Sequence, residues 1–223
     1  MSREEVLGRI RRSLNRKGAL PEGVAQGLAR RTARSAPHIL PAIAEELLDR
    51  FVNKVEAVAG TTVACKRGAG ISEAVVEFLQ SRRLPLRIVV SDDDLLRAVA
   101  WSNRLDVSTG LPDPSDLTSV TAAFGAVAET GSVVMISERQ TPTSLNLLPE
   151  NHIVAVPNQR VFKHQEEVWQ ALRERPGGMP RTVNFITGPS RTGDVEQVLQ
   201  LGAHGPRQLH VLMVDDASPD PST

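Results

Sequence analysis

The alternation of short apolar segments with helical segments, from Gly60 to Val214, constrains the fold of this chain more than any other feature. Segments 61–65 (TTVAC) and 87–90 (RIVV) predict buried strands, and residues 71–83 between them predict a helix. A helix that joins two strands at this spacing is typical of a parallel sheet. Later apolar runs predict further strands at 117–129, 132–137, 152–156, 182–187 and 209–214. We therefore predict an α/β fold with a mixed, largely parallel sheet, helices on both faces and an N-terminal helical arm.

Helical periodicity predicts the elements that cover this sheet. Apolar residues recur at intervals of three and four between Ile39 and Val58, which predicts one helix of about five turns. Segments 91–101 and 161–175 predict two more. Residues 191–202 (RTGDVEQVLQLG) predict another helix, which would begin near Ser190 or Thr192 and end at Gly202.

Composition excludes several classes of protein. The 26 basic and 26 acidic side chains cancel, which argues against a general nucleic-acid binder. The single cysteine, Cys65, cannot form an internal disulfide or supply an iron–sulfur cluster, and it is more typical of a buried filler than of a nucleophile. No segment approaches the roughly 20 apolar residues of a membrane span, so we expect none. A lone cysteine is also typical of a reducing compartment, so we expect a cytoplasmic protein.

The neutral total conceals two regions of opposite charge. Residues 1–36 carry nine Lys or Arg and three Asp or Glu, whereas residues 37–223 carry 17 and 23. Val6, Leu7, Ile10 and Leu14 predict an amphipathic helix within this basic arm. The arm is either a solvated helix that packs on its own body or a docking element for an acidic partner or a second copy. We take residues 37–215 as the α/β domain and predict that the polar tail, residues 216–223, is disordered.

The segment 186–196 (ITGPSRTGDVE) is the densest candidate for chemistry. A turn at Gly188-Pro189 would lead into a helix capped by Ser190 or Thr192, with Asp194 in its first turn. The N–H groups at such a helix end attract anions, and Arg191 adds a planar cation suited to carboxylate or phosphate. The alternative is an ordinary helix cap that binds nothing.

Three further groups of residues are candidates for the same site. His204 and Gly205 lie in a turn before the last strand, where a histidine can carry a proton, bind an anion or simply bond to a carbonyl. Glu129 ends a strand before Thr130 and Gly131, so it is either a nucleophile or general base, or a solvated turn residue. Asn146 lies in a polar loop that leads into a strand, either in the pocket or as a turn-former. No histidine pair at metal-binding spacing occurs, so we predict no metal site.

Four segments together resemble the conserved blocks of the LUD-domain family, of the lactate-utilisation protein C type. These blocks are residues 128–134 (AETGSVV), 143–156 (TSLNLLPENHIVAV), 185–196 (FITGPSRTGDVE) and 202–214 (GAHGPRQLHVLMV). The resemblance implies a fold similar to the NagB/RpiA/CoA-transferase superfamily. It also implies a role in oxidising L-lactate to pyruvate beside iron–sulfur partner proteins, with no cofactor bound by this chain.

Three hypotheses for the function follow. The first is a cluster-free subunit of a lactate-oxidising system that binds a small anionic ligand at the carboxyl ends of the parallel strands. In it, Glu129 and His204 are acid–base groups, and the ligand is held by Thr130, Gly131, Asn146, Gly188, Ser190, Arg191, Thr192, Asp194 and Gly205. The second is a stand-alone enzyme of the CoA-transferase or sugar-phosphate-isomerase type with Glu129 as nucleophile or base. The third is a non-catalytic assembly factor that uses the basic arm. A homo-oligomer is compatible with each of these hypotheses.

Overall fold

The computed structural model describes residues 2–15, 18–33, 39–192 and 200–215. The contacts of the chain separate it into two compact units, Met1–Ala42 and Ile43–Thr223. The predicted tail, residues 216–223, lies outside the described residues, as does Asp194.

The first unit contains two helices, α1 (Arg3–Ser13) and α2 (Glu22–Ala33). A capping box starts α1, because the Ser2 hydroxyl accepts from the Glu5 amide and the Glu5 carboxylate accepts from the Ser2 amide. The amphipathic helix predicted from Val6, Leu7 and Ile10 is present as α1, and these three side chains are exposed.

The second unit contains five α-helices in the described part of the chain, besides a short 3-10 helix at Asn158–Arg160. They are α3 (Leu47–Ala57), α4 (Ala69–Ser81), α5 (Asp94–Arg97), α6 (Ser144–Leu147) and α7 (Gln165–Glu174). The helix predicted for residues 39–58 is shorter than expected, since α3 begins only at Leu47. Pro41 disfavours helical geometry in the preceding segment, and Ile39 is fully exposed there, so no burial offsets this preference.

Six of the described strands form a parallel sheet in the order β1-β12-β7-β4-β2-β3. They are β1 (Thr61–Lys66), β2 (Arg87–Val90), β3 (Asp106–Thr109), β4 (Thr118–Ala122), β7 (Asn151–Pro157) and β12 (Gln208–Asp215). The predicted α/β fold with a largely parallel sheet is confirmed. Strand β3 was not predicted, because its sequence, DVST, lacks an apolar run.

Both faces of the parallel sheet are covered. Helix α4 packs on one face through Ile71, Val75 and Leu79, against strand residues such as Ile153 and Leu212. Helix α3 packs on the other face through Phe51 and Val55. Each of these fully buried side chains stabilises the fold by roughly 1.5–3 kcal/mol.

A second, four-stranded sheet shares the face covered by α3, and the sequence did not predict it. Its order is β8-β5-β6-β9. Its strands are β5 (Gly125–Val127), β6 (Ser132–Ile136), β8 (Val161–Phe162) and β9 (Val183–Ile186). The apolar run 117–129 is therefore divided between two sheets, since β4 belongs to the first and β5 to the second. Strands β5 and β6, on either side of Thr130-Gly131, are antiparallel neighbours.

The predicted helix does not begin directly after Ser190, whereas a helix that began after Thr192 would fall on residues outside the described part of the chain. Arg191–Thr192 form strand β10, which pairs antiparallel with β11 (Gln200–Leu201). Ser190 lies in a loop, where its amide donates to the Pro206 carbonyl and its own carbonyl accepts from the Gly202 amide. The bond from Gly202 uses the Ser190 carbonyl, which would accept the first hydrogen bond of a helix that Ser190 capped. Residues 193–199 lie outside the described part of the chain.

None of the helices in the described residues is long and apolar enough to cross a membrane.

Candidate functional site

Two of the predicted sequence blocks meet at Ser190. The Ser190 amide donates to the Pro206 carbonyl over 2.8 Å, and the Gly202 amide donates to the Ser190 carbonyl over 3.0 Å. The Ser190 hydroxyl also accepts from the His204 amide over 3.3 Å. These three bonds hold the loops 187–190 and 202–207 side by side, so Ser190 positions the backbone of both.

The end of α3 fixes the first of these loops. A Cβ added at Gly188 would lie 2.7 Å from the Val58 Cγ2 atom, and Gly188 has a φ of +92°. Only glycine accepts both that approach and that backbone conformation. The Arg191 guanidinium donates to the Val58 carbonyl over 2.8 Å, at the helix end where the macrodipole favours a cation.

Three arginines line one cleft beside these loops. The cleft has a volume of about 320 Å³ and is lined by Ala59, Thr61, Arg82, Pro189, Arg191, Arg207, Gln208 and Leu209. We call it the arginine cleft. Among the described residues that line it, no side chain is acidic. Guanidinium groups present fixed forks of N–H donors to carboxylate and phosphate oxygens, so this arrangement suits an anion.

A glycine makes room for the third arginine. Gly202 has a φ of +80°, and a Cβ there would lie 2.2 Å from the Arg207 Cγ atom. The Arg207 side chain therefore lies directly across Gly202. Its Nη1 atom is 3.9 Å from the Glu150 carboxylate, and both side chains are more than half exposed, so this ion pair is weak.

The arginine cleft lies at the amino ends of the parallel strands. Thr61 begins β1 and Gln208 begins β12, and both line the cleft. This cleft is therefore not at the carboxyl ends, where the ligand pocket was predicted. The prediction followed the general rule for parallel α/β sheets, but here the loop that precedes β12 and the end of α3, which precedes β1, supply the walls.

Two hollows adjoin the arginine cleft. One, of about 730 Å³, shares Arg207 with it and is also lined by Leu147, Leu148, His204 and Gly205; we call it the leucine hollow. The other, of about 270 Å³, shares Thr61 and Arg82 with it and reaches Phe78 and His210. The predicted residues His204 and Gly205 therefore lie beside the cleft, and His204 is exposed.

His210 is a buried residue in the wall of the smaller hollow. Its Nδ1 atom is 2.8 Å from the Thr61 hydroxyl, and its ring stacks on Phe78 at 4.3 Å. Burial, together with the positive charge of Arg82, lowers the pKa of His210 to about 4. His210 is therefore neutral near pH 7.

Glu129 lies in the β5–β6 connection and pairs with a histidine other than the predicted one. Its carboxylate is 2.9 Å from His164 Nδ1, and the two side chains are 25% and 5% exposed. His164 precedes α7, and the Glu129 amide donates to the neighbouring Lys163 carbonyl over 3.1 Å. His164 was missed because it lies 35 residues from Glu129 in a segment that the periodicity predicts to be helical. Only the parallel pairing of β5 with β8 brings it to Glu129.

Thr130 and Gly131 have structural partners. The Thr130 hydroxyl is 2.7 Å from the Ser132 hydroxyl, which is 2.6 Å from the Thr187 hydroxyl. A Cβ at Gly131, where φ is +73°, would lie 2.5 Å from the Lys54 Cβ atom of α3. Since Gly188 contacts Val58 one turn further along, both glycines let a sequence block pack against the same helix.

The remaining predicted residues have different surroundings. Asn146 is buried within α6, and Thr192 lies in β10. Cys65 lies in β1, where burial raises the pKa of its thiol to about 11 and so disfavours the reactive thiolate. No group of His, Cys, Asp or Glu among the described residues is arranged to hold a metal ion.

Comparison with known proteins agrees with the sequence blocks. Residues 117–214 match the LUD domain, which confirms the resemblance carried by the four sequence blocks. A crystal structure of a DUF162 family protein from Deinococcus radiodurans has a similar fold, with a TM-score of 0.55. That likeness covers 78% of this chain and 99% of that protein at 20% sequence identity.

Relatives of this chain carry one recurring name. It is 28% identical over 229 residues to Lactate utilization protein C of Exiguobacterium, and the alignment covers 96% of each chain. It is 33% identical over 109 residues to Lactate utilization protein C of Geobacillus kaustophilus, where the alignment covers 47% of this chain and 45% of the relative.

Proposed function

We propose that this chain is a cluster-free subunit of a system that oxidises L-lactate to pyruvate, and that it binds a small anionic ligand in the arginine cleft. The observation that carries the proposal is the alignment, over 96% of both chains, with a protein named Lactate utilization protein C. The arginine cleft supports the second part, because Arg82, Arg191 and Arg207 line one space of a size that suits a small organic anion.

The residues of this chain would bind and orient rather than transfer electrons. The guanidinium groups would hold the acidic group of the anionic ligand through paired N–H donors. Oxidising lactate removes a pair of electrons, which need an acceptor. The sequence has one cysteine, too few for an iron–sulfur cluster, so we propose that partner proteins with such clusters accept the electrons.

Gene deletion tests the proposed role. We expect an organism that lacks this gene to grow poorly on L-lactate and normally on pyruvate, with growth restored by the intact gene. We expect growth to be restored by the Arg104→Ala variant but not by Arg207→Ala, which would tie the role to the arginine cleft. Arg104 is the control because it is an exposed arginine between α5 and β3, outside the lining of the cleft. Equal growth on both carbon sources without the gene would contradict the proposal.

The alternative of a stand-alone CoA-transferase-like enzyme depends on Glu129 as nucleophile. We favour the first function because the Glu129 carboxylate is already bonded to His164, and the described lining of the arginine cleft does not include it. A covalent acyl adduct on Glu129, detected by mass spectrometry after incubation with an acyl-CoA, would reverse this preference.

A further inference from the structure

The charge of the arginine cleft exceeds what a single carboxylate balances. Arg82, Arg191 and Arg207 line it, and the nearest acidic group paired with any of them among the described residues is Glu150, at 3.9 Å from Arg207. That pair is exposed, so it neutralises little of the positive charge. A monoanion such as lactate would leave most of the repulsion between the guanidinium groups in place, whereas a dianion would offset more of it.

The space beside the cleft also exceeds what a three-carbon acid fills. The leucine hollow, of about 730 Å³, adjoins the arginine cleft, and Arg207 lines both. Its wall combines the exposed apolar side chains of Leu147 and Leu148 with polar groups, including His204. Such a mixed wall suits the organic body of a ligand whose charged end lies at the arginines.

Contacts within the protein already orient the three arginines that would bind the charged end of the ligand. Arg191 is held by the Val58 carbonyl, and Arg207 lies across Gly202, whose missing side chain leaves it that room. Arg82 approaches the Phe78 ring, with 6.0 Å between its guanidinium carbon and the ring centroid. Side chains that are already oriented lose less entropy on binding, so this cleft favours a ligand that engages several guanidinium groups together.

We propose that the arginine cleft binds the phosphate group of an organic phosphate whose body lies in the leucine hollow. This inference rests on the proposed function only in taking the arginine cleft as the ligand site. Phosphate is the chemical group that matches the observations, because it carries up to two negative charges and offers oxygens to several guanidinium forks at once.

Calorimetric titration of the full chain at constant ionic strength tests the proposal, with L-lactate, inorganic phosphate, phenyl phosphate and phenol as probes. We expect phosphate to bind about ten-fold more tightly than lactate, and phenyl phosphate more tightly than phosphate. Phenol, which lacks the charge, should not bind. Arg82→Ala and Arg207→Ala should each weaken both phosphates about ten-fold, whereas Arg104→Ala should leave them unchanged.

A second variant tests the location of the organic body. Leu148 is 70% exposed, so Leu148→Ser should fold normally. We expect it to remove the advantage of phenyl phosphate over phosphate and to leave phosphate itself unchanged. An unchanged advantage would overturn the assignment of the body to the leucine hollow.

The outcomes separate this inference from the proposed function. Lactate binding that equals phosphate binding and is lost in Arg207→Ala would overturn the inference and leave the proposed function standing. Phosphate binding in a protein whose deletion leaves growth on lactate normal would overturn the proposed function and leave the inference standing. Absence of binding by every anion would overturn the inference and the ligand site of the proposed function together.

Discussion

The charged groups of the β5–β6 connection and those of the arginine cleft differ in whether they have partners of opposite charge inside the protein. At the connection, the Glu129 carboxylate bonds to the buried His164, so this charge is satisfied inside the protein. At the cleft, Arg82 and Arg207 are exposed and have little acidic compensation among the described residues. The difference indicates that charge at the connection serves the fold, and that charge at the cleft is available to a ligand.

The largest effect that we expect comes from packing at the connection. Gly131→Ala should lower the free energy of unfolding by about 3 kcal/mol, because the new Cβ meets the Lys54 Cβ atom at 2.5 Å in a left-handed conformation. Gly178→Ala is the matched control, since Gly178 also has a φ of +73° but nothing lies within 4 Å of the added Cβ. Urea unfolding measures both. Equal losses in the two variants would show that the contact with α3 is unimportant.

The next effect distinguishes a structural carboxylate from a catalytic one. Glu129→Ala should cost about 2 kcal/mol of stability, because it leaves His164 buried without its partner. Glu73→Ala, at an exposed position of α4, should cost less than about 0.5 kcal/mol. Anion binding should be unchanged in both variants. If Glu129→Ala abolished binding without loss of stability, the contrast between the two regions would be wrong.

Acid sensitivity tests the buried histidine in the wall of the hollow that adjoins the arginine cleft. The folded-state pKa of His210 is about 4, below its ordinary value of 6.5, so the unfolded chain binds the proton more readily. The stability that neutral His210 contributes is therefore complete above pH 6.5 and is lost as the pH falls towards 4. Between about pH 7.5 and pH 5, we expect His210→Gln to lose about 2 kcal/mol less stability than the wild type. Equal losses, measured by urea unfolding at both pH values, would contradict this assignment.

The smallest effect concerns how Arg207 is positioned. Gly202→Ala should weaken phosphate binding about ten-fold, because the added Cβ at 2.2 Å must displace the Arg207 side chain. Gly205→Ala, in the same loop, should change binding little, since its Cβ would lie at an ordinary 3.5 Å from Ser190. Calorimetric titration compares the two. A similar loss in both variants would mean that loop flexibility, and not the direction of Arg207, controls binding.

The candidate site was only partly predictable from the sequence. The GPSRT and HGP blocks predicted Ser190, Arg191 and Gly205 as site residues, and the structure brings the two blocks together. The helix cap predicted at Ser190 was wrong, because Arg191–Thr192 form a strand and Ser190 ties two loops together. Arg82 and Arg207 were missed, since isolated arginines in a chain with 26 basic residues carry no local signal.

The sequence by itself determined the class of the fold. Apolar strands such as β2 and β12 are buried on both faces, so they appear as continuous apolar runs that one sequence suffices to recognise. Tertiary structure alone decided which strands share a sheet and which charges share a cleft. The apolar run 117–129 is divided between two sheets. The three arginines share a cleft because the ends of α3 and α4 lie beside the loop before β12. Both outcomes depend on contacts between residues far apart in the chain, which local periodicity does not encode.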